Sequence, residues 1–188
     1  MMICKNLTAA AVLICSAIST AAVAAPSDAA GTSSRGVWQK HEYLFEFFGF
    51  TSTYSCDGLA GKLEVLLKVS GARKDAKARA GACASGFGRP DKFSRARLIF
   101  YTLVPDDGSG AESAVAAAWQ PVVLGEYRPR ELGSGDCELV EQFQRGVLPM
   151  FTTRNVENHT TCVPHQISGS AIDLKFESFV AATPPKAR

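Results

Sequence analysis

A self-similarity at an offset of 81 residues constrains the fold of this chain more than any other feature of its sequence. The identities at that offset include Trp38 with Trp119, Gln39 with Gln120, Cys56 with Cys137, Leu67 with Leu148 and Arg73 with Arg154. Cys83 matches Cys162 after a two-residue deletion. Because Trp and Cys are rare residue types, their shared register predicts an internal duplication whose two copies fold alike.

The first copy has the pattern of a strand, a helix and two further strands. The predicted strands are His41 to Phe50, Ala76 to Cys83 and Arg95 to Val104. The four leucines from Leu59 to Leu67 have the spacing of a buried helical stripe. Ser55 or Asp57 can cap this helix at its start, and Gly71 can end it.

The second copy repeats that order. Its predicted strands are Trp119 to Tyr127, Thr153 to Cys162 and Ala171 to Val180. The helical stripe consists of Val140, Phe143, Val147 and Phe151, with Pro149 able to kink or end the helix. In the last strand the pattern alternates, with Ile172, Leu174, Phe176 and Val180 predicted inward and Asp173, Lys175 and Glu177 outward.

These patterns predict an α+β fold, in which two tandem β-α-β-β units form a mostly antiparallel sheet with two helices on one face. The units span residues 37–104 and 119–181, and a polar, Gly- and Ser-rich linker over 105–118 joins them into a single domain. Residues 25–36 and 182–188 are predicted to be disordered because they lack apolar periodicity.

The first 24 residues have the pattern of a cleavable secretory signal peptide. Lys5 supplies a positive start, Ala9 to Ile18 an apolar stretch, and Ala22-Val23-Ala24 a small-residue site that favours cleavage after Ala24. An uncleaved anchor is the alternative, but a spanning helix needs about 20 mostly apolar residues. Cys15 follows a large residue, which disfavours lipidation. The sequence therefore predicts a periplasmic or secreted protein without a transmembrane segment in the mature chain.

Four cysteines remain once such a leader is removed, and they are Cys56, Cys83, Cys137 and Cys162. An even number of cysteines in an oxidising compartment predicts two disulfides. The repeat favours Cys56 with Cys83 and Cys137 with Cys162, although four cysteines allow three connectivities. The alternative, a metal site, is disfavoured because no two cysteines have the close spacing of metal ligands.

The sequence contains no motif that assigns a reaction or a cofactor. There is no nucleophile elbow and no phosphate-binding loop, and the three histidines are scattered. Cys56 and Cys137 come at predicted helix starts, where a thiol is activated, but disulfide formation would remove their nucleophilicity. The whole chain has a formal net charge of only +2, which disfavours nucleic acid as a partner. No catalytic, metal or cofactor residue is predicted, and an enzyme is disfavoured.

Two features could form a binding surface. The first is a candidate cationic patch of Arg89, Lys92, Arg95, Arg97, Arg128 and Arg130, for which a solvated rim is the alternative. The second is an aromatic run of Tyr43, Phe45, Phe47, Phe48 and Phe50, for which a place in the core is the alternative.

The sequence thus predicts a non-catalytic binding or accessory module. Its partner would be a periplasmic protein, an envelope component or a small anionic ligand. A small periplasmic hydrolase or inhibitor-like protein with a dispersed active site is the alternative.

Overall fold

The computed structural model describes residues 34–81, 89–108 and 113–182 of the chain. They form an α+β fold with a six-stranded antiparallel sheet and two α-helices. The strands are β1 (Ser34–Phe48), β2 (Lys77–Ala80), β3 (Phe93–Pro105), β4 (Val115–Gly125), β5 (Thr153–Asn158) and β6 (Asp173–Ala181), and the helices are α1 (Cys56–Val69) and α2 (Cys137–Gly146). The predicted leader, Cys83 and residues 183–188 lie outside the described residues.

The strand order in the sheet is β2-β3-β1-β4-β6-β5. β1 and β3 pair over thirteen positions from Gly36 to Phe48, and β4 pairs with β6 along its length from Ala117 to Gly125. The junction between the two halves of the sheet is much shorter. Only three residue pairs join β1 to β4, beginning with Ser34 opposite Ala117. From this junction β1 continues along β3, and β4 continues in the opposite direction along β6.

One face of the sheet packs with both helices in a single hydrophobic core. The sheet contributes Phe45, Phe47, Leu98, Phe100, Val122, Leu124, Leu174 and Phe176 to it. The leucine stripe of α1, from Leu59 to Leu67, is buried against them, as are Val140 and Phe143 of α2. The predicted helical stripes are therefore confirmed as part of the core. Their spacing follows the period of a helix, which can be recognised from neighbouring residues alone.

The ends of both helices follow local signals. The Ser55 side chain caps α1 by accepting from the backbone N–H of Gly58, and Gly71 follows the helix with a positive φ of 101°. A 3₁₀ turn, Ser134–Asp136, leads into α2. A second 3₁₀ turn, Leu148–Met150, contains the proline that was expected to end that helix.

Several predicted boundaries differ from the structure. β1 begins at Ser34, so residues 34–36 belong to a strand although they were predicted to be disordered. β4 begins at Val115, inside the predicted linker. Both extensions have the same physical reason, since these are the residues whose backbone groups pair at the β1–β4 junction. β5 ends at Asn158, four residues earlier than predicted.

Near its end β6 is buried on both faces. Ser178 is fully buried on the core face, where its hydroxyl donates to the carbonyl of Ser70 at 2.7 Å. Phe179 is also buried, but on the opposite face, where it forms a small second cluster with Leu103 and Ala117. This cluster closes over Gly36, because a Cβ there would lie 2.6 Å from the Leu103 side chain.

A disulfide joins Cys137 at the start of α2 to Cys162, with an S–S distance of 2.04 Å. This is one of the two pairs that the repeat favours. Cys56 at the start of α1 is also disulfide-bonded. The pairing of Cys56 with Cys83 stays a prediction, since Cys83 lies outside the described residues.

Candidate functional site

Among the described residues, the edge of β4 that faces away from β6 pairs with β1 only from Val115 to Ala117. Past Ala117, which pairs with β1, no strand among the described residues pairs with this edge. Pro121 lies on it, and a proline is tolerated there because an edge position does not require its missing N–H group. An open edge presents backbone donors and acceptors that an additional extended segment can pair with.

A groove with a volume of about 660 Å³ runs beside this edge, and we call it the β4 groove. Its lining residues are Trp38, Lys68, Val69, Gly71, Ala72, Arg73, Lys74, Gln120, Pro121, Val122, Val123, Val180 and Ala181. The end of α1 and the turn after it form one wall, and β4 forms the other. Gly71 is required at the base of that turn, since a Cβ there would lie 2.5 Å from the side chain of Val180.

The β4 groove is lined by three cations and by no carboxylate. Lys68 forms an ion pair with Glu64 at 2.6 Å, one helical turn earlier, and its hydrogen bond lowers the pKa of the Glu64 carboxyl. Arg73 forms a two-point pair with Asp75, both contacts at 2.7 Å. Lys74 is exposed, and no ion pair of Lys74 occurs among the described residues. The rim is therefore basic, with Lys74 as its most available charge.

Two arginines lie over aromatic rings at matching places in the chain. The Arg73 guanidinium lies 3.6 Å from the Tyr101 ring centroid and 5.8 Å from that of Trp38. The Arg154 guanidinium lies 4.3 Å from the Trp119 ring centroid. Such contacts hold the planar cation in place while its edge binds a carboxylate, which is Asp75 for Arg73 and Glu177 for Arg154. The internal self-similarity at an offset of 81 residues pairs these two arginines.

Two buried carboxylates near the start of α2 have structural partners. Glu138 accepts from the backbone N–H groups of Phe50, Thr51 and Ser52 at 3.0 to 3.2 Å, which fixes the loop between β1 and α1. Asp136 accepts from the Tyr54 hydroxyl at 2.5 Å and from Lys62 at 2.7 Å.

Burial and the hydrogen bond to the Asp136 carboxylate raise the pKa of Tyr54 well above its usual range. The tyrosine therefore stays protonated and serves as a donor. Sequence reasoning missed this network because Asp136 is 82 residues from Tyr54 and 74 residues from Lys62 in the chain.

His41 lies on the core face of β1, where Nε2 is 2.8 Å from Oγ1 of Thr102. Because Thr102 donates its own proton to the Met150 carbonyl at 3.0 Å, the imidazole is the donor in the His41–Thr102 contact. The ring also stacks on Phe100 with a centroid distance of 5.1 Å. Burial lowers the pKa of His41, so this histidine is neutral near pH 7.

The structure divides the predicted aromatic run into two groups. Phe45 and Phe47 are buried in the core. Phe48 and Phe50 are exposed, at 39% and 48%, and pack edge to face with a centroid distance of 4.7 Å. Phe93 on the neighbouring strand joins them at 4.6 Å from Phe48. These three rings form an exposed aromatic cluster that is distinct from the β4 groove.

The predicted cationic patch is spread over several elements. Arg95 and Arg97 lie on β3 and point to solvent, and Arg95 pairs with Glu46 of β1 at 2.9 Å. Arg89 and Lys92 precede β3 and are exposed. The remaining two members, Arg128 and Arg130, are exposed in the connection between β4 and α2. Convergence of the whole set on one anion stays a prediction.

Two kinds of feature are absent from the described residues. No helix there is long and apolar enough to cross a bilayer. No cluster of three or more metal-ligating side chains occurs in the same part of the chain. In comparisons with known proteins, no family model matches the chain, and no curated protein or solved structure is significantly similar to it.

Proposed function

We propose that this protein is an exported, disulfide-stabilised and non-catalytic binding module that takes an extended acidic segment of a partner protein into the β4 groove. One observation carries the proposal: a groove lined by three cations and no carboxylate runs beside a strand edge that lacks a partner strand among the described residues. The strand edge offers main-chain hydrogen bonds to an extended peptide, and the lining supplies contacts for its side chains.

The charge of the groove selects the chemistry of the partner. Lys68, Arg73 and Lys74 lie on one wall, so acidic side chains of a bound strand would face them. The opposite wall is formed by Pro121, Val122 and Val123 and is mostly apolar, which suits alternate apolar residues of the same strand. A segment that alternates acidic and β-branched residues meets both requirements.

Export to an oxidising compartment is the part of the proposal that explains why cysteines form disulfides in this chain. The leader pattern over residues 1–24 supports secretion, with cleavage after Ala24. The disulfide between Cys137 and Cys162 is compatible with it, since such bonds persist in oxidising compartments.

The fold is further proposed to consist of two tandem β-α-β-β units, one from β1 to β3 and one from β4 to β6. Recurring contacts support this. Trp38 lies opposite Leu103 in one half-sheet, and Trp119 lies opposite Phe179 in the other. The hydroxyl of Thr102 binds the carbonyl of Met150, and that of Ser178 binds the carbonyl of Ser70, so each last strand contacts the chain after the other unit's helix.

A binding titration with Lys74→Glu tests the proposed groove. The probe is a fluorescently labelled peptide of alternating Glu and Val residues, and the measured quantity is its dissociation constant from fluorescence anisotropy. Reversal of the Lys74 charge should weaken binding about tenfold, which corresponds to about 1.4 kcal/mol of lost attraction. A peptide of alternating Lys and Val residues should not bind.

Lys92→Glu is the matched control, because Lys92 is also exposed but belongs to the predicted cationic patch rather than to the groove. It should leave the dissociation constant unchanged. The reverse result, weakening by Lys92→Glu and not by Lys74→Glu, would move the site to the patch and refute the groove. Absence of binding by the unmodified protein would refute the acidic-peptide proposal.

A further inference from the structure

A second cavity, with a volume of about 380 Å³, lies between the end of β1 and one face of α2, and we call it the Phe50 pocket. Phe48 and Phe50 line it from the side of β1. The helix contributes a row of polar side chains with the spacing of a single helical face, namely Glu138, Glu141, Gln142 and Arg145. The pocket shares no lining residue with the β4 groove, so its ligand is independent of the proposed function.

The two phenylalanine rings form a corner at the mouth of this pocket. Their planes lie at 88° to each other, and both side chains are partly exposed. The face of a phenyl ring carries excess negative charge, so a cation that enters such a corner is attracted by the rings.

The charges that line the Phe50 pocket also favour a cation. Glu138 and Glu141 are two carboxylates against the single guanidinium of Arg145, which leaves one negative charge in excess. Arg145 compensates Glu141 only in part, since Nη2 and Oε1 are 3.7 Å apart and both side chains are exposed to solvent. The pocket therefore has the opposite charge preference to the basic β4 groove.

The hydrogen bonds of the pocket select the kind of cation. The Glu138 carboxylate already accepts from three backbone N–H groups of the loop after β1. The Gln142 amide accepts from the Phe48 N–H at 3.0 Å and donates to the Phe48 carbonyl at 2.8 Å. A primary ammonium group brings three N–H donors that need acceptors, whereas a quaternary ammonium group brings none.

We propose that the Phe50 pocket binds a quaternary ammonium group, carried by a small solute or by a lipid headgroup. The ring corner attracts the cation, and the excess carboxylate balances its charge. Its methyl groups require no hydrogen bonds from walls whose amide and carboxylate are already bonded. The aromatic run of the sequence is then divided by role, with Phe45 and Phe47 in the core and Phe48 and Phe50 at a ligand site.

A titration with three probes of the same chain length tests the site, with amide chemical shifts of the protein followed by NMR. Choline carries a quaternary ammonium, ethanolamine carries a primary ammonium, and a neutral alcohol has a carbon atom in place of the choline nitrogen. Choline should bind about fivefold more tightly than the other two and shift the amides of Phe50 and Glu141. Binding of either other probe as tightly as choline, or no binding of choline, would overturn the proposal.

Phe50→Leu removes one ring but keeps an apolar side chain, so it should weaken choline binding about fivefold. Phe93→Leu is the matched control, because Phe93 packs on Phe48 with a centroid distance of 4.6 Å but lines a different cavity. It should leave the dissociation constant unchanged. Glu141→Gln removes one carboxylate and should weaken choline binding about threefold. Equal weakening by the two leucine variants would contradict a site in the Phe50 pocket.

Sedimentation with lipid vesicles distinguishes the two sources of the ligand. Binding to phosphatidylcholine vesicles, lost in Phe50→Leu and absent with phosphatidylglycerol vesicles, would support a lipid headgroup. Choline binding without vesicle binding would support a free solute. Equal binding to both kinds of vesicle in the unmodified protein and in Phe50→Leu would contradict recognition of the quaternary ammonium.

Discussion

Ser70 carries a buried hydroxyl group with no hydrogen-bond partner among the described residues. Its backbone carbonyl is satisfied by Ser178, so only the side chain lacks a partner. A buried polar group without a hydrogen bond costs free energy, and its removal removes that cost. Ser70→Ala should therefore raise the free energy of unfolding by about 1 kcal/mol, measured by urea denaturation.

Ser178→Ala is the control for Ser70→Ala. It deletes a hydroxyl of the same size from the same buried contact, but this hydroxyl donates a hydrogen bond. The variant should lose about 1 kcal/mol, because the Ser70 carbonyl is left unsatisfied. Destabilisation by Ser70→Ala to a similar extent would mean that its hydroxyl does have a partner.

His41 makes the stability of the folded chain depend on pH. Burial lowers its pKa below the ordinary value of 6.5, so the unfolded chain binds the proton more readily. The stabilisation is fully present above the unfolded pKa and is lost as the pH falls toward the folded pKa. Unfolding by urea should therefore require less denaturant at about pH 5.5 than at about pH 7.5.

His41→Gln provides the comparison for this pH effect. The glutamine amide can still donate to Thr102, but it does not titrate. The difference in urea midpoint between the two pH values should shrink in this variant. An unchanged difference would assign the pH dependence to other groups.

At the scale of the elements, the disulfide between Cys137 and Cys162 ties the start of α2 to the segment after β5. The two cysteines are 25 residues apart in the chain. In the chain-entropy model, closing a loop of that length stabilises the fold by about 3 to 4 kcal/mol. Cys137→Ser and Cys162→Ser should lower the melting temperature equally.

The double variant tests whether these two effects have one cause. If both arise from the same bond, Cys137→Ser combined with Cys162→Ser should be no less stable than either single variant. A double variant that is destabilised by the sum of the two single effects would show that each cysteine stabilises the fold by a separate interaction.

The elements that the sequence predicted well are those with a local signal. The leucine stripe of α1 and the Ser55 cap depend only on residues within a few positions of each other. The start of β1 at Ser34 could not be predicted in this way, because Ser-Arg-Gly has no strand pattern and is held by its pairing with β4. Propensity alone does not specify such a long-range pair.

The candidate site was also missed because it depends on contacts between residues that are far apart in the sequence. The sequence singled out Arg73 but not Lys68 or Lys74, because nothing local relates the end of α1 to the edge of β4. The groove lies beside the part of β4 that has no strand partner on the side away from β6 among the described residues. The sequence left open whether the aromatic run lies in the core or on the surface. The structure buries Phe45 and Phe47 and exposes Phe48 and Phe50.

For the molecule as a whole, the central claim is that the β4 groove binds an extended acidic segment. Amide chemical shifts, followed by NMR during titration with the Glu and Val peptide, test it most directly. The largest changes should fall on Trp119, Val123 and Lys74, along the open edge and the basic wall. Changes confined to Phe48, Phe50 and Phe93 would place binding on the exposed aromatic cluster and contradict the claim.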